Sequence, residues 1–442
     1  MLNYIWLGLV LVAVVLGGVN GHLKEVSDEA FNGAKTAVMT IALPLVGVTA
    51  LWLGIMRLAE KSGIIVTLAR WLRPLMRRLF PDVPADHPAM GSMLMNFAAN
   101  MIGLTNAATP LGLRAMNDLE KLNPRPGTAT NAMCTFLAIN TSSLQLLPMT
   151  AIGILAASGS ANPAAIVATS LLATACSTIA GITAVKILEK LPAFRLPALA
   201  ASGPDRPASP NTAVSPEQET SVPAAPAAAR WARLVVLLFI GLFVFLFFRT
   251  VRTAPASPET ATTFLRVMNS LSLLAIPFFL GFFPLYAALR KVRVYEEFVE
   301  GAKEGFQVAV RIIPFLVAML VAVGMFRGAG GVDLLTRALK PALDLARFPA
   351  ELLPISLTRP LSGSATIGLF ADLVKTLGPD HVITRMGGTI LGSTETTLYV
   401  VAVYFGAVAV KRTRHAVAAG LLADIVGVIA SVVICRIVFG AP

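Results

Sequence analysis

Charge is scarce in this sequence. Asp, Glu, Lys and Arg make up only 14% of its 442 residues, and hydrophobic residues make up 56%. A water-soluble domain carries about a quarter charged residues, so with a mean hydropathy of +0.74 an ordinary soluble fold is excluded. Cysteine is nearly absent. Cys134, Cys176 and Cys435 stand alone in apolar segments without CxxC spacing, which excludes a disulfide framework or thiolate metal site and leaves packing as their role. His22, His87, His381 and His415 are scattered through loops, none at ligand spacing. HExxH, GxSxG and a phosphate loop are all missing. Gly33-Ala-Lys35 and Gly301-Ala-Lys303 lack the earlier glycine and place Ala between Gly and Lys, and the second also lacks the following hydroxyl residue. No enzyme class and no nucleotide-driven engine is indicated. No basic segment precedes the apolar run Ile5 to Val19, which therefore reads as a retained first span.

Long apolar runs are what the chain has instead. Arg233 to Phe248 reads RLVVLLFIGLFVFLFF, and Val267 to Leu289 is similar. Each approaches the length that crosses a hydrocarbon core as a helix, and continuous apolarity argues against a strand barrel, whose residues alternate. The class is an all-α polytopic membrane protein. The formal net charge of +12 belongs to loops beside the spans and to anionic lipid, with no call for nucleic acid. Expected spans are 3–19, 37–57, 129–156, 163–187, 232–248, 267–289, 307–327, 384–410 and 416–439, about nine in all. Arg57, Lys61, Arg70, Arg73, Arg77 and Arg78 follow the second span, which places that loop and the N-terminus in the cytoplasm and the C-terminus outside. The basic stretch Ile64 to Leu79 reads as an interfacial amphipathic helix, with Val332 to Ala346 a weaker counterpart.

Composition breaks once. Leu196 to Ala229 is rich in Pro, Ala and Ser and reads as a disordered cytoplasmic linker, dividing the chain into membrane halves at 1–195 and 230–442. The halves share ordered matches. Pro44, Gly54 and Arg57 pair with Pro314, Gly324 and Arg327 at offset 270, Thr141-Ser-Ser-Leu with Glu395-Thr-Thr-Leu at offset 254, and Leu171-Leu-Ala with Leu421-Leu-Ala at offset 250. The span count makes the repeats inverted, the usual architecture of secondary transporters, which hold substrate between the repeats near mid-membrane. Met90 to Met116 and Leu352 to Val374 have small, polar centres between apolar arms and read as two re-entrant hairpins.

The chemistry concentrates in a few polar residues. Ser393, Thr394, Glu395 and Thr396 interrupt an apolar segment, with Tyr399 on the Glu395 face at helical spacing. Asn140, Thr141, Ser142, Ser143 and Gln145 occupy the matching stretch of the first half. A carboxylate at membrane depth marks a functional site, able to accept hydrogen bonds from a polar solute, hold Na⁺ or carry H⁺. A structural ion pair with Arg359, or a place at a helix start, is the alternative. Asn96, Asn100 and Asn106 in the first hairpin and Arg359, Ser362 and Ser364 in the second are expected at the hairpin tips. Asp424 reads either as a second ion or proton site or as an interfacial residue near Lys411 to His415.

NFAANMIGLTNAATPLGLRAMNDLEKLN in the first half resembles the spore maturation protein A family. RPLSGSATIG, GSTETTLYVVAVYFG and KRTRHAVAAGLLAD in the second resemble the spore maturation protein B family. The chain thus resembles a fusion of the pair. That resemblance implies a nucleoside recognition, or Gate, domain, as in concentrative nucleoside transporters and the membrane part of ferrous iron transporter B, with Ser393, Thr394 and Glu395 facing the substrate. A shared fold leaves the ligand unsettled. The expectation is an inner-membrane transporter-like protein for a small polar solute, nucleoside-like if the resemblance extends to the ligand, needing no cofactor beyond Na⁺ or H⁺ coupling. Its expected partners are membrane lipid, the solute, and further copies of itself in a homo-oligomer. A non-transporting scaffold in envelope or spore-type maturation is the second reading.

Overall fold

The computed structural model describes residues 2–103, 105–143, 145–194, 230–253, 262–331 and 347–440, with 334, 337, 341 and 343 between the last two segments. The linker at 196–229 and most of 332–346 lie outside the described residues. The chain is helical throughout and shows no strand among the described residues, only an isolated bridge between Thr128 and Arg412. Among the described residues, five helical segments are long and apolar enough to cross a membrane. The protein is an all-α membrane protein.

Helices α1 (Leu2–Asn20), α2 (Leu23–Lys35) and α3 (Leu43–Lys61) open the first half. The seven residues between α2 and α3, Thr36–Ala42, are a π-helix running into Pro44. Proline cannot donate to the ladder, and widening the preceding turn accommodates the lost bond. The amphipathic α4 (Ile64–Leu79) follows, then a hairpin of α5 (Pro88–Ile102) and α6 (Thr105–Lys121). Gly103 turns this hairpin at φ +89°, a left-handed conformation cheap only for glycine. Next come α7 (Asn131–Thr141), α8 (Met149–Ala157) and α9 (Ile166–Leu188).

The second half holds α10 (Arg230–Thr253), α11 (Thr263–Leu289) and the 35-residue α12 (Val294–Gly328). Its own hairpin is α13 (Leu353–Thr358) and α14 (Gly363–Leu377), followed by α15 (Val382–Ser393), α16 (Thr397–Ala407) and α17 (Ala416–Phe439). Local sequence starts these helices. Thr130, Thr262 and Ser362 each accept a bond from the backbone N–H three residues on, while His87 and His381 do so through Nδ1 two residues on.

Matching helices of the two halves pack antiparallel. In α3 and α12 the contacts run from Ala50 against Gly305 to Leu53 against Gly301. A Cβ on Gly301 would come within 2.6 Å of the Leu53 carbonyl oxygen, and one on Gly33 within 2.6 Å of that of Leu320, so these backbones touch directly. In α9 and α17 the Ser177 hydroxyl donates to the Ala423 carbonyl at 2.9 Å, and Gly181 and Gly427 lie against Ala423 and Ser177. Ser177 and Gly427 are themselves equivalent at offset 250. Equivalent residues meet only at an axis of two-fold symmetry, so the duplication read in the sequence is realised as antiparallel halves.

Candidate functional site

Two spans read as continuous in the sequence are broken. α7 stops at Thr141 and α8 starts at Met149; α15 stops at Ser393 and α16 starts at Thr397. Mid-span breaks free backbone groups that must find partners, and each hairpin supplies one. The Leu146 N–H donates to the Met101 carbonyl at 3.0 Å, and the Leu398 N–H to the Pro360 carbonyl at 2.9 Å. The breaks also bond each other. The Glu395 N–H donates to the Thr141 carbonyl at 3.2 Å, joining the pair equivalent at offset 254. Ser143 holds φ at +52°, a conformation that costs a non-glycine residue energy and persists where surroundings impose it. Its hydroxyl lies 3.4 Å from the Gly392 carbonyl and 3.5 Å from Glu395 Oε1.

A cavity of about 520 Å³ opens where breaks and hairpin tips meet. Of the expected site residues, Glu395, Thr396, Tyr399, Asn140, Ser143, Gln145, Asn100, Ser362 and Ser364 line it. Asn100 donates to Asn140 Oδ1 at 2.9 Å, tying the first tip to the first break. Because residues 394–396 are outside any helix, the helical-face relation between Glu395 and Tyr399 does not apply; both reach the cavity by separate routes.

The other expected residues stand behind the wall. Thr394 and Ser393 are fully buried, the first donating to the Ile390 carbonyl at 2.8 Å and the second paired with the Ser431 hydroxyl at 2.9 Å. Thr141 donates to Ala138 O, and Ser142 pairs with Thr178. Asn96 donates to Ala108 O at 2.8 Å and to the Tyr404 hydroxyl at 3.4 Å. The side chain of Asn106 is outside the described residues.

Arg359 is buried at the second hairpin tip with only 6% exposure. Its Nε and Nη1 donate to the Thr394 and Thr396 hydroxyls at 3.3 Å each, and Nη2 donates to the carbonyls of Leu391 (3.2 Å) and Thr394. Glu395 Oε2 is 3.5 Å away, but its side chain remains 29% exposed. The expected alternative for Glu395, an ion pair with Arg359, is therefore present together with cavity exposure. The guanidinium mainly ties the break to the tip, and two of its partners, Thr396 and Glu395, line the cavity.

Asp424 lies eight residues into α17, about 12 Å along the helix from its start at 1.5 Å per residue. It is 3% exposed and accepts from the Thr397 hydroxyl at 2.6 Å, while its Oδ1 has no partner. Its equivalent at offset 250 is Thr174, which donates to the Ser142 carbonyl at 3.0 Å and to that of Ser143. Both carboxylates of this core thus replace threonines of the first half. Asp372 pairs with Arg327 away from the cavity.

Phe315, Leu361, Gly363, Val400 and Tyr404 also line the cavity and were not singled out as site residues. Val400 and Tyr404 stand four positions apart on α16, with Thr396 at the same spacing just before its start, a signal legible once the helix start at Thr397 is known. No group of three or more His, Cys, Asp or Glu among the described residues could hold a metal ion.

Comparison with known proteins places this geometry. Spore maturation protein B of Bacillus subtilis (strain 168) is 47% identical over 177 residues, 40% of this chain and 99% of that protein. The chain belongs to the spore maturation protein family. Spore maturation protein A of the same organism is 46% identical over 182 residues, 41% of this chain and 92% of that protein. A family profile described as nucleoside recognition (Gate) matches residues 42–189, from the end of the π-helix through α9. No solved structure matches significantly. The Gate match falls on the half that supplies Asn100, Asn140, Ser143 and Gln145 to the cavity, whereas Glu395 comes from the other.

Proposed function

We propose that this protein is a secondary transporter of the plasma membrane for a small polar solute, with residues 1–195 and 230–442 as A-like and B-like Gate halves inverted about the cavity. The observation that carries the reading is the cavity itself: two broken helices from antiparallel halves, a carboxylate, and hydroxyl and amide groups facing one space. Broken helices flanking a polar cavity are how transporters offer backbone and side-chain groups to a solute at membrane depth. Glu395 is the principal acceptor, with Asn140, Ser143 and Gln145 facing it from the first half. Asp424, buried behind Thr397, is assigned with Glu395 to coupling by H⁺ or Na⁺. Tyr399, Tyr404 and Phe315 supply ring surface suited to a nucleoside-like solute. No cofactor takes part.

A second reading rests on the Arg359 contact at 3.5 Å: Glu395 is a packing element, and the chain is a membrane scaffold serving a maturation process like that in its relatives' names. One experiment separates them. Unfolding of the purified protein is followed against nucleosides, nucleobases and other small metabolites, in Na⁺ or K⁺ at two pH values, for wild type and Glu395→Gln. A ligand at 100 times its dissociation constant adds about 2.7 kcal/mol. Transport predicts a stabilising solute whose effect vanishes in Glu395→Gln; no response to any member, in either protein, favours the scaffold.

A further inference from the structure

A second cavity, of about 450 Å³, lies between α10, α11 and the core. All of its lining residues are apolar: Ile240, Phe243, Val244, Phe247 and Phe248 from α10, Leu271, Leu274, Ala275, Phe278 and Phe279 from α11, Val167 and Leu171 from α9. The last two are Leu146 and Leu147 of the first break. That break therefore separates two chambers, offering Ser143 and Gln145 to the polar one and Leu146 and Leu147 to the apolar one.

We infer that the apolar chamber seats an acyl chain of an anionic phospholipid, which buttresses the first break from behind. Three observations commit the site to this occupant. The cavity is open toward the outer face of α10, and an apolar recess of this size left empty forfeits packing contact along its walls. Water does not settle in a chamber without polar partners. The chamber sits beside the most lipid-exposed helix of the fold, with Leu237, Leu238 and Phe245 of α10 each more than 60% exposed, so a bilayer supplies hydrocarbon chains there at overwhelming concentration. A further observation selects the headgroup. Phe247 and Phe248 close one end of the chamber, and Arg249 and Arg252 follow within about one helical turn. Arg266, in the first turn of α11, lies at the same end of the α10–α11 pair. A tail in the chamber leaves its phosphate beside these guanidiniums.

The test uses the full-length protein, delipidated in detergent and analysed by native mass spectrometry and thermal unfolding with added phosphatidylglycerol or phosphatidylcholine. Ala275→Trp and Val244→Trp fill the chamber from opposite walls, and Arg249→Gln/Arg252→Gln removes the headgroup contacts. The expected result is phosphatidylglycerol retained by wild type with a rise in unfolding temperature. Both filling variants should bind it roughly tenfold more weakly, and the arginine variant should lose the preference for it over phosphatidylcholine. If one filling variant fails to fold, the other decides. Equal lipid retention in the folded filling variant overturns the inference, as does a dimer that filling dissociates, since a second copy would then be the occupant. Equal binding of the two lipids by wild type overturns the headgroup assignment.

Discussion

Removing the Arg359 side chain should cost far more stability than neutralising Glu395, and the difference follows from how each is held. Arg359 is buried and donates to two hydroxyls and two carbonyls besides facing Glu395. Arg359→Met strands the Leu391 and Thr394 carbonyls, and a buried acceptor left unpaired costs about 1–3 kcal/mol. With two buried carbonyls stranded, a loss of about 4 kcal/mol is expected, and the partly exposed carboxylate adds little to it. Glu395→Gln leaves Arg359 its other acceptors, and the amide replaces a partly exposed carboxylate 3.5 Å away. Its cost should stay below about 1 kcal/mol, as for exposed pairs. The assay is denaturant unfolding in one detergent for both single variants and the double variant, with coupling energy read from the cycle. A Glu395→Gln cost above about 3 kcal/mol, with matching coupling, would refute this reasoning and make Glu395 a structural ion-pair partner.

Other outcomes follow from parts away from the cavity. Asp380 accepts from the Ser160 hydroxyl at 2.7 Å and the Ala161 N–H at 2.9 Å, with Arg385 at 3.7 Å; partial burial opposes its charge, but these partners prevail and hold its carboxyl below the usual range. Its contribution is therefore present above the unfolded value and lost as pH falls through the lower folded one. Because the group is substantially exposed, Asp380→Asn should cost only about 1 kcal/mol at neutral pH and flatten the acid limb of a stability–pH curve. His415 is buried, its ring edge-on to Phe194 at 5.8 Å, and burial, then Arg414 and Lys186, lower its pKa to about 4. Protonation favours the unfolded chain, so stability should fall as pH drops from about 6.5 toward 4, a slope His415→Gln should remove in unfolding measured by pH. Gly301→Val should separate α12 from α3 and destabilise by about 3 kcal/mol or more, whereas Gly91→Ala, with open space at its Cβ, should gain about 0.5–1 kcal/mol in the same unfolding assay.

Much of this architecture was legible in residue patterns. Apolar runs marked the long helices, and ordered offsets linked Pro44 with Pro314 and Thr141 with Glu395 across the chain. The small, polar centres of Met90 to Met116 and Leu352 to Val374 already signalled hairpins. The convergence of Glu395, Asn140, Ser143 and Gln145 followed from placing equivalent positions at one axis. The breaks at 142–148 and 394–396 were not legible. Small hydroxyl residues are tolerated inside membrane helices, and what opens these ones is tertiary: the carbonyls of Met101 and Pro360 and the guanidinium of Arg359 reach them from distant sequence. The depth of Asp424 was hidden for the same reason, since its partner Thr397 belongs to another helix. Phe315 and Tyr404 were not singled out, because an aromatic side chain in an apolar segment looks alike whether it packs in a core or lines a cavity.

The central claim is that Glu395 faces a water-reachable cavity between two broken helices. Single cysteines at 393 to 400, in the protein reconstituted into vesicles, test it through their rates of reaction with a small polar thiol reagent. The account predicts fast reaction at 395, 396 and 399 and protection at 393, 394 and 397, the pattern of an unwound segment entering a helix. Uniform protection from 393 to 400, with the native thiols as background, would contradict it.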